Sequence, residues 1–112
     1  MKVKSLVEQY NFKPLTGDVA LDREITQVDS CDLLSWVMAN GKEGYAWITV
    51  QIHSNIIAVA TLLDFACIII PHNIEIEESV VAKAVEEEIS ILSTDMGPYD
   101  IFKCFFEEEM RG

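Results

Sequence analysis

Basic residues are scarce in this chain. Lysine and arginine together number 8 against 19 aspartates and glutamates, a formal net charge of −11 over 112 residues. Such a chain cannot neutralise a phosphate backbone, which excludes nucleic acid as a partner and disfavours an anionic membrane surface. The acidity itself serves solubility. Cysteine is also sparse: Cys31, Cys67 and Cys104 are odd in number, far apart and in no CxxC or CxH pairing. They form neither a disulfide framework nor a zinc signature, and reduced, mostly buried thiols are expected. No apolar run reaches the roughly 18 to 20 residues of a membrane span, because Gln51, His53, Ser54, Asn55 and then Asp64 interrupt the most apolar stretch. Residues 1–10 hold Lys2, Lys4 and Glu8 and lack the apolar core of a signal peptide. A soluble, cytoplasmic protein is expected, with no membrane association.

Catalytic signatures are missing as well. The 5 glycines include no GxxxxGK[ST] spacing, so no phosphate-cradling loop of a kinase or ATPase is present. Ser54, His72 and Asp95 could be written as a hydrolytic triad, but no GxSxG elbow presents the serine. A metal site from His53, His72 and Asp95 would need separate loops to agree within tenths of an ångström. The expectation is therefore no enzyme, no catalytic residue, no metal and no cofactor.

What is present is a hydrophobic, regularly alternating chain. Half of its residues are apolar, well outside the range of disordered sequences. The periodicity predicts a helix over 4–10, an irregular segment over 12–24 punctuated by Pro14 and Gly17, and then strands over 25–31, 46–52, 66–70 and 90–93. Helices fall between them at 33–40, 55–64 and 77–88, and a last one runs from Pro98 to near Met110. Asp32 is placed to cap the helix over 33–40 and Gly41 to end it; Ser54 or Asn55 is placed to cap the next. Alternating strands and helices imply right-handed crossovers, hence a single three-layer α/β/α domain over residues 1–112 with a mainly parallel four- to five-stranded sheet. Residues 1–14 form its N-terminal helix and lead-in.

The helix over 55–64 has no charged face, although a surface helix should have one. Cover by a second copy of the chain would explain it. Ile57 and Leu62 are the expected outward residues, aided by Phe102, Phe105 and Phe106 of the last helix, and a homodimer is expected. In open parallel sheets ligands bind outside the strand carboxyl ends, near a reversal of strand order. The candidate ligand residues there are Asp29, Ser30, His53, Ser54, Asn55, His72, Asn73, Ser93, Thr94 and Asp95. Helix N-termini facing the same edge would favour a small anionic ligand. His53 and His72 are expected at neighbouring strand ends, bound to no metal.

The run over residues 21–73, with SILSTD at 90–95, resembles the DRTGG domain, especially its small stand-alone members. The segment LLSWVMAN followed by AWITVQ is its most specific part, and the resemblance spans residues 15–107. It implies a fold similar to the N-terminal domain of HPr kinase/phosphorylase and to the UDP-binding domain of muramoyl-peptide ligases. In such proteins the domain is an accessory module, and catalysis lies elsewhere. His53-Ser54 stands where the family has Asp-Arg, and Pro71-His72-Asn73 where it has Thr-Gly-Gly. Losing those glycines removes the close backbone approach that a phosphate-cradling turn uses. The resemblance implies a non-catalytic regulatory or interaction domain, dimeric, recognising a protein partner (a hydrogenase or signalling component) or a small ligand. The alternative is a nucleotide- or anion-binding sensor using the crevice at the strand ends.

Overall fold

Helix α1 spans Val3–Tyr10 in the computed structural model, which describes residues 1–111. The chain continues through β1 (Lys13–Pro14), β2 (Gln27–Ser30), α2 (Leu34–Asn40), β3 (Tyr45–Ile48), α3 (Asn55–Leu62), β4 (Cys67–Ile70), α4 (Glu78–Glu86), β5 (Ser90–Ser93) and α5 (Pro98–Arg111). The strands form a 5-stranded sheet in the order β1-β5-β4-β3-β2. β2 to β5 are mutually parallel, and β1 is antiparallel to β5. This is the three-layer α/β/α domain with a mainly parallel sheet that the alternation of elements implies.

Each parallel strand lies beside the next one in sequence. Right-handed crossovers stepping in one direction place their helices on one face. Accordingly, Val37 of α2, Ile56, Ile57, Val59 and Ala60 of α3, and Val80 and Ala84 of α4 share one core with Tyr45, Trp47, Ile68, Ile70 and Ile91. The opposite core joins α1 and α5, through Val3, Leu6, Ile101 and Cys104, to Ala46, Ile48, Cys67, Ile69 and Leu92. Successive strand residues alternate between the two cores, as pleating requires. All of β3 and β4 is buried. This is why Cys67–Ile70 reads as one apolar run instead of an alternating one.

The same order corrects an expectation. Strand order does not reverse inside the parallel block, so the crevice that a reversal opens is absent. A second correction concerns Ile57, expected to face outward; it is 0 % exposed. α3 lies between α2 and α4 in its layer, so its flanks are covered by its own chain. Its outward stripe is Asn55, Ala58, Thr61 and Leu62, small or polar except for Leu62 at 68 % exposure. Phe105 packs with the core on the other face of the sheet, so it cannot share one patch with Leu62.

The helix caps also differ. Asp32 does not cap α2, whose N-cap is Leu33 with no side-chain bond. Its carboxylate instead accepts hydrogen bonds from Thr49 Oγ1 and Val50 N–H, both at 2.9 Å, because the end of β3 passes within reach. Ser54 is itself helical, with φ −61° and ψ −17°, and neither it nor Asn55 caps α3 through its side chain. Gly41 does end α2, but with φ −67° and not in a left-handed conformation. Space is what selects glycine there, since a Cβ would sit 2.6 Å from Phe65 Cζ. Asp64, the lone charge of the apolar run, follows α3 in a left-handed conformation (φ 57°) and pairs with Arg23 at 2.9 Å. β1 lies within the segment expected to be irregular; a two-residue strand is too short for periodicity to register.

Candidate functional site

Four loops leave the carboxyl ends of β2 to β5 along one edge of the sheet. Backbone bonds continue the sheet into them. Thr49 N–H donates to Ile69 O and Thr94 N–H to Ile70 O, each at 3.1 Å. His72 N–H donates to Met96 O at 2.9 Å and Asn73 N–H to Thr94 O at 2.8 Å. Side chains tighten the same zone. Besides its bonds to Thr49 and Val50, Asp32 accepts from Gln51 Nε2 through its carbonyl at 2.9 Å. The buried Thr94 hydroxyl accepts from Met96 N–H at 3.2 Å. The polar groups here hold one another, as buried polar groups must.

His72 and Asn73 are both left-handed, with φ 59° and 53°, and Ile74 N–H donates to Pro71 O at 3.2 Å. This is the pattern of a type I′ turn, which normally selects glycine, asparagine or aspartate. A histidine and an asparagine thus hold a turn conformation that glycine adopts more readily. The His72 ring lies over Gly97, where an added Cβ would be 2.8 Å from His72 Cε1. The amides of His72, Asn73 and Ile74 are all bonded to carbonyls, so the turn has no free N–H groups with which to cradle an anion.

The candidate residues share this edge but line separate surfaces. His53 and His72 do follow adjacent parallel strands. His53, Ser54 and Asn55 open onto a groove of about 900 Å³ between α3 and α4, with Ile52, Ala58, Leu62 and Val80 among its apolar lining. Lys83 lies in it, paired with Glu87 at 3.3 Å. Asn73 and Ser93 instead line a smaller groove of about 440 Å³ with Lys13, Leu15, Ile76 and Glu78. Asp29 and Ser30 belong to the outer strand, where Asp29 Oδ1 accepts from Ser30 N–H at 2.8 Å. Asp95 is exposed.

Two surfaces escaped the sequence reading. One is a groove of about 820 Å³ between β2 and α5, lined by Ile25, Val28, Phe102, Phe105 and Phe106 together with Glu108 and Glu109. The i, i+3, i+4 spacing of its phenylalanines was a usable signal, though it was assigned to a different interface. The other is the exposed apolar surface of Leu33, Trp36 and Met38 on and beside α2.

Burial pushes the Cys67 thiol up to about 12. Burial, then the nearby Glu107 carboxylate, also raises Cys104. Both remain protonated at neutral pH, which removes them as nucleophiles. Among the described residues no group of three or more His, Cys, Asp and Glu side chains could hold a metal ion. No helix among them is long and apolar enough to cross a membrane.

No family model matches the sequence, and no curated protein matches it. Among solved structures the chain is similar to the CBS and DRTGG domains of the regulatory region of Clostridium perfringens pyrophosphatase, complexed with the activator diadenosine tetraphosphate. The TM-score is 0.67 at 11% identity, over 91% of this chain and 44% of that one. The chain therefore spans less than half of that region. The likeness is one of fold, and it agrees with the DRTGG-like α/β domain that residues 21–73 suggest.

Proposed function

We propose that the chain is a non-catalytic regulatory domain of the DRTGG type that recognises a protein partner or a small ligand. The observation that carries this reading is the contrast between its surfaces. Asp32, Thr49, Gln51 and Thr94 at the strand ends are bonded within the loops there, whereas the open grooves beside α3, α4 and α5 combine apolar side chains with a few exposed polar groups, His53, Ser54 and Asn55 among them. Such grooves suit recognition through hydrophobic contact with a few polar anchors. The shared fold with part of a regulatory region supports the same reading. A homodimer remains part of the proposal, with Leu62 as its apolar contact on α3. So do a cytoplasmic location, which rests on the composition of residues 1–10 and the interrupted apolar stretch, and a hydrogenase or signalling partner, which rests on the family resemblance.

A second reading has its own observation. The pyrophosphatase region binds a nucleotide activator, and here the α3–α4 groove has the size of a ligand site, with Lys83 and His53 as its cationic or titratable groups. Thermal shift against adenine nucleotides, diadenosine tetraphosphate and phosphometabolites tests both readings. A ligand at about 100 times its dissociation constant adds roughly 2.7 kcal/mol, a rise of about 10 °C for a domain of this size. A shift lost in Lys83→Glu would assign a nucleotide-like ligand to that groove. A flat response across the panel removes the sensor and leaves protein recognition.

A further inference from the structure

β2 has a neighbour on one side only. Around it the backbone alternates: Thr26 N–H turns inward to Gly44 O at 2.9 Å, and Ile25 N–H turns outward to Met1 O at 2.8 Å. The ladder register then sets Gln27 and Asp29 toward β3, with Cys31 N–H donating to Ile48 O at 3.2 Å. Val28 and Ser30 are therefore the residues whose backbone groups point away, and the Ser30 N–H is already held by Asp29 Oδ1 at 2.8 Å. The isolated bridge between Lys2 and Glu24 lies just upstream. The line of this edge thus already accepts an extended segment beside Glu24 and Ile25. The opposite edge is closed by other means. β1 is Lys13-Pro14, a charge followed by a residue with no donor, and both block strand addition. β2, Gln-Val-Asp-Ser, carries neither lysine nor proline.

Apolar surface flanks the open edge in both layers. On one side lies the α5 groove, where Phe106 is 66 % exposed beside Val28, Phe102 and Phe105. On the other, Trp36 borders Asp29 and is 57 % exposed. A strand added to β2 would set alternate side chains into the phenylalanine groove and against Trp36. Charge selects its owner. Glu108 and Glu109 line the groove, Asp29 sits on the edge, and the whole chain carries −11. A second copy paired edge to edge would bring like carboxylates and like net charge together, whereas a basic segment meets them with opposite sign.

We propose that β2 and the α5 groove capture an extended, lysine- or arginine-bearing segment of a partner protein by strand addition. This rests on the reading of the chain as an interaction domain and adds the surface and the chemistry of the partner.

The probe is a synthetic peptide of about eight residues alternating lysine and valine, the length of an ordinary strand, titrated into isotope-labelled protein and followed by amide chemical shifts and hydrogen exchange. Expected are protection of the Val28 amide and binding that weakens with added salt. Affinity should fall about tenfold or more in Val28→Pro, which removes the outward donor while sparing the ladder to β3. Phe106→Ser should weaken binding similarly, and because Phe106 is exposed this variant keeps the test decisive if Val28→Pro unfolds. Protection elsewhere, unchanged affinity in Phe106→Ser, or no binding at millimolar peptide would overturn the proposal. Self-association dissolved by Val28→Pro would overturn it too, by giving the edge to a second copy. A negative peptide result beside a positive nucleotide shift would remove only this surface and leave the regulatory reading intact.

Discussion

Replacing His72 by valine should destabilise the protein, whereas replacing it by glycine should not. His72 and Asn73 are consecutive left-handed residues in a turn whose amides are fixed to Met96 O, Thr94 O and Pro71 O. That pairing leaves the backbone no alternative conformation. A residue with a Cβ gives up roughly 1–2 kcal/mol in this region, asparagine less than most, and a β-branched side chain is the worst case. His72→Val should therefore cost about 1–3 kcal/mol beyond the histidine already present. Glycine relieves the strain but adds about 0.5–1 kcal/mol of unfolded-chain freedom, so His72→Gly should lie between neutral and about 1 kcal/mol more stable. The lost contact of the ring with Gly97 trims that gain. Asn73→Gly should be near neutral. Urea unfolding with matched slopes reads these differences directly. A His72→Val variant within about 0.5 kcal/mol of the parent would refute the argument, because the turn could not then be left-handed. The double variant His72→Gly/Asn73→Gly puts glycine at both positions yet leaves the turn amides occupied, so inorganic phosphate should produce no thermal shift.

Asp32→Ala should cost about 1–3 kcal/mol, since Val50 N–H and the Thr49 hydroxyl lose their acceptor, and Asp32→Asn should recover most of it on urea melting. Ile57→Ala should cost about 2–5 kcal/mol as a cavity in the α3 core. Leu62→Glu should leave stability within about 0.5 kcal/mol and, if copies meet across α3, convert a dimer to monomer in sedimentation. Thiol labelling of the native protein should modify Cys31 alone; Cys67 and Cys104 should react only on unfolding. Alkaline stability follows from the same burial. Cys67 is raised from 9.0 to about 12 on folding, so its contribution is whole below pH 9 and is lost as pH climbs toward about 12. Tyr10, raised mainly by burial and then by its bond to Glu108, acts in the same direction from pH 10 upward. Cys67→Val should flatten the alkaline limb of a melting-versus-pH profile, and an unchanged limb would place the titrating group elsewhere.

Much of the fold was legible because its determinants are local. Apolar runs at residues 66–70 and 90–93 and the 3.6-residue stripe of Val80 and Ala84 place strands and a helix without reference to distant residues. Properties that depend on neighbours were not legible. Whether α3 is a flank or a centre of its layer depends on strand order, and a monotonic order makes it a centre. α2 and α4 cover the flanks of α3, which is why Ile57 is buried, while Leu62 stays exposed on its outer stripe and keeps a place for the proposed second copy. Asp32 shows the same limit at a single residue. A carboxylate just ahead of a helix has the composition of a cap, but the end of β3 offers it both a backbone amide and a hydroxyl, and those donors take precedence.

The candidate site divides along the same line. Convergence of His53, His72 and Thr94 on one edge follows from parallel topology alone and was foreseeable. That Asp32, Thr49 and Thr94 bond within the loops of that edge was not, because hydrogen-bond partners depend on loop geometry that no residue type encodes. The groove between β2 and α5 is hidden for a further reason. Phe102, Phe105 and Phe106 have the spacing of an ordinary buried stripe, and only the absence of a strand beyond β2 leaves them open. Negative charge changes meaning in that setting. Read as composition, the acidic excess promotes solubility; beside an unprotected strand edge, Asp29, Glu108 and Glu109 repel a second copy and favour a basic segment.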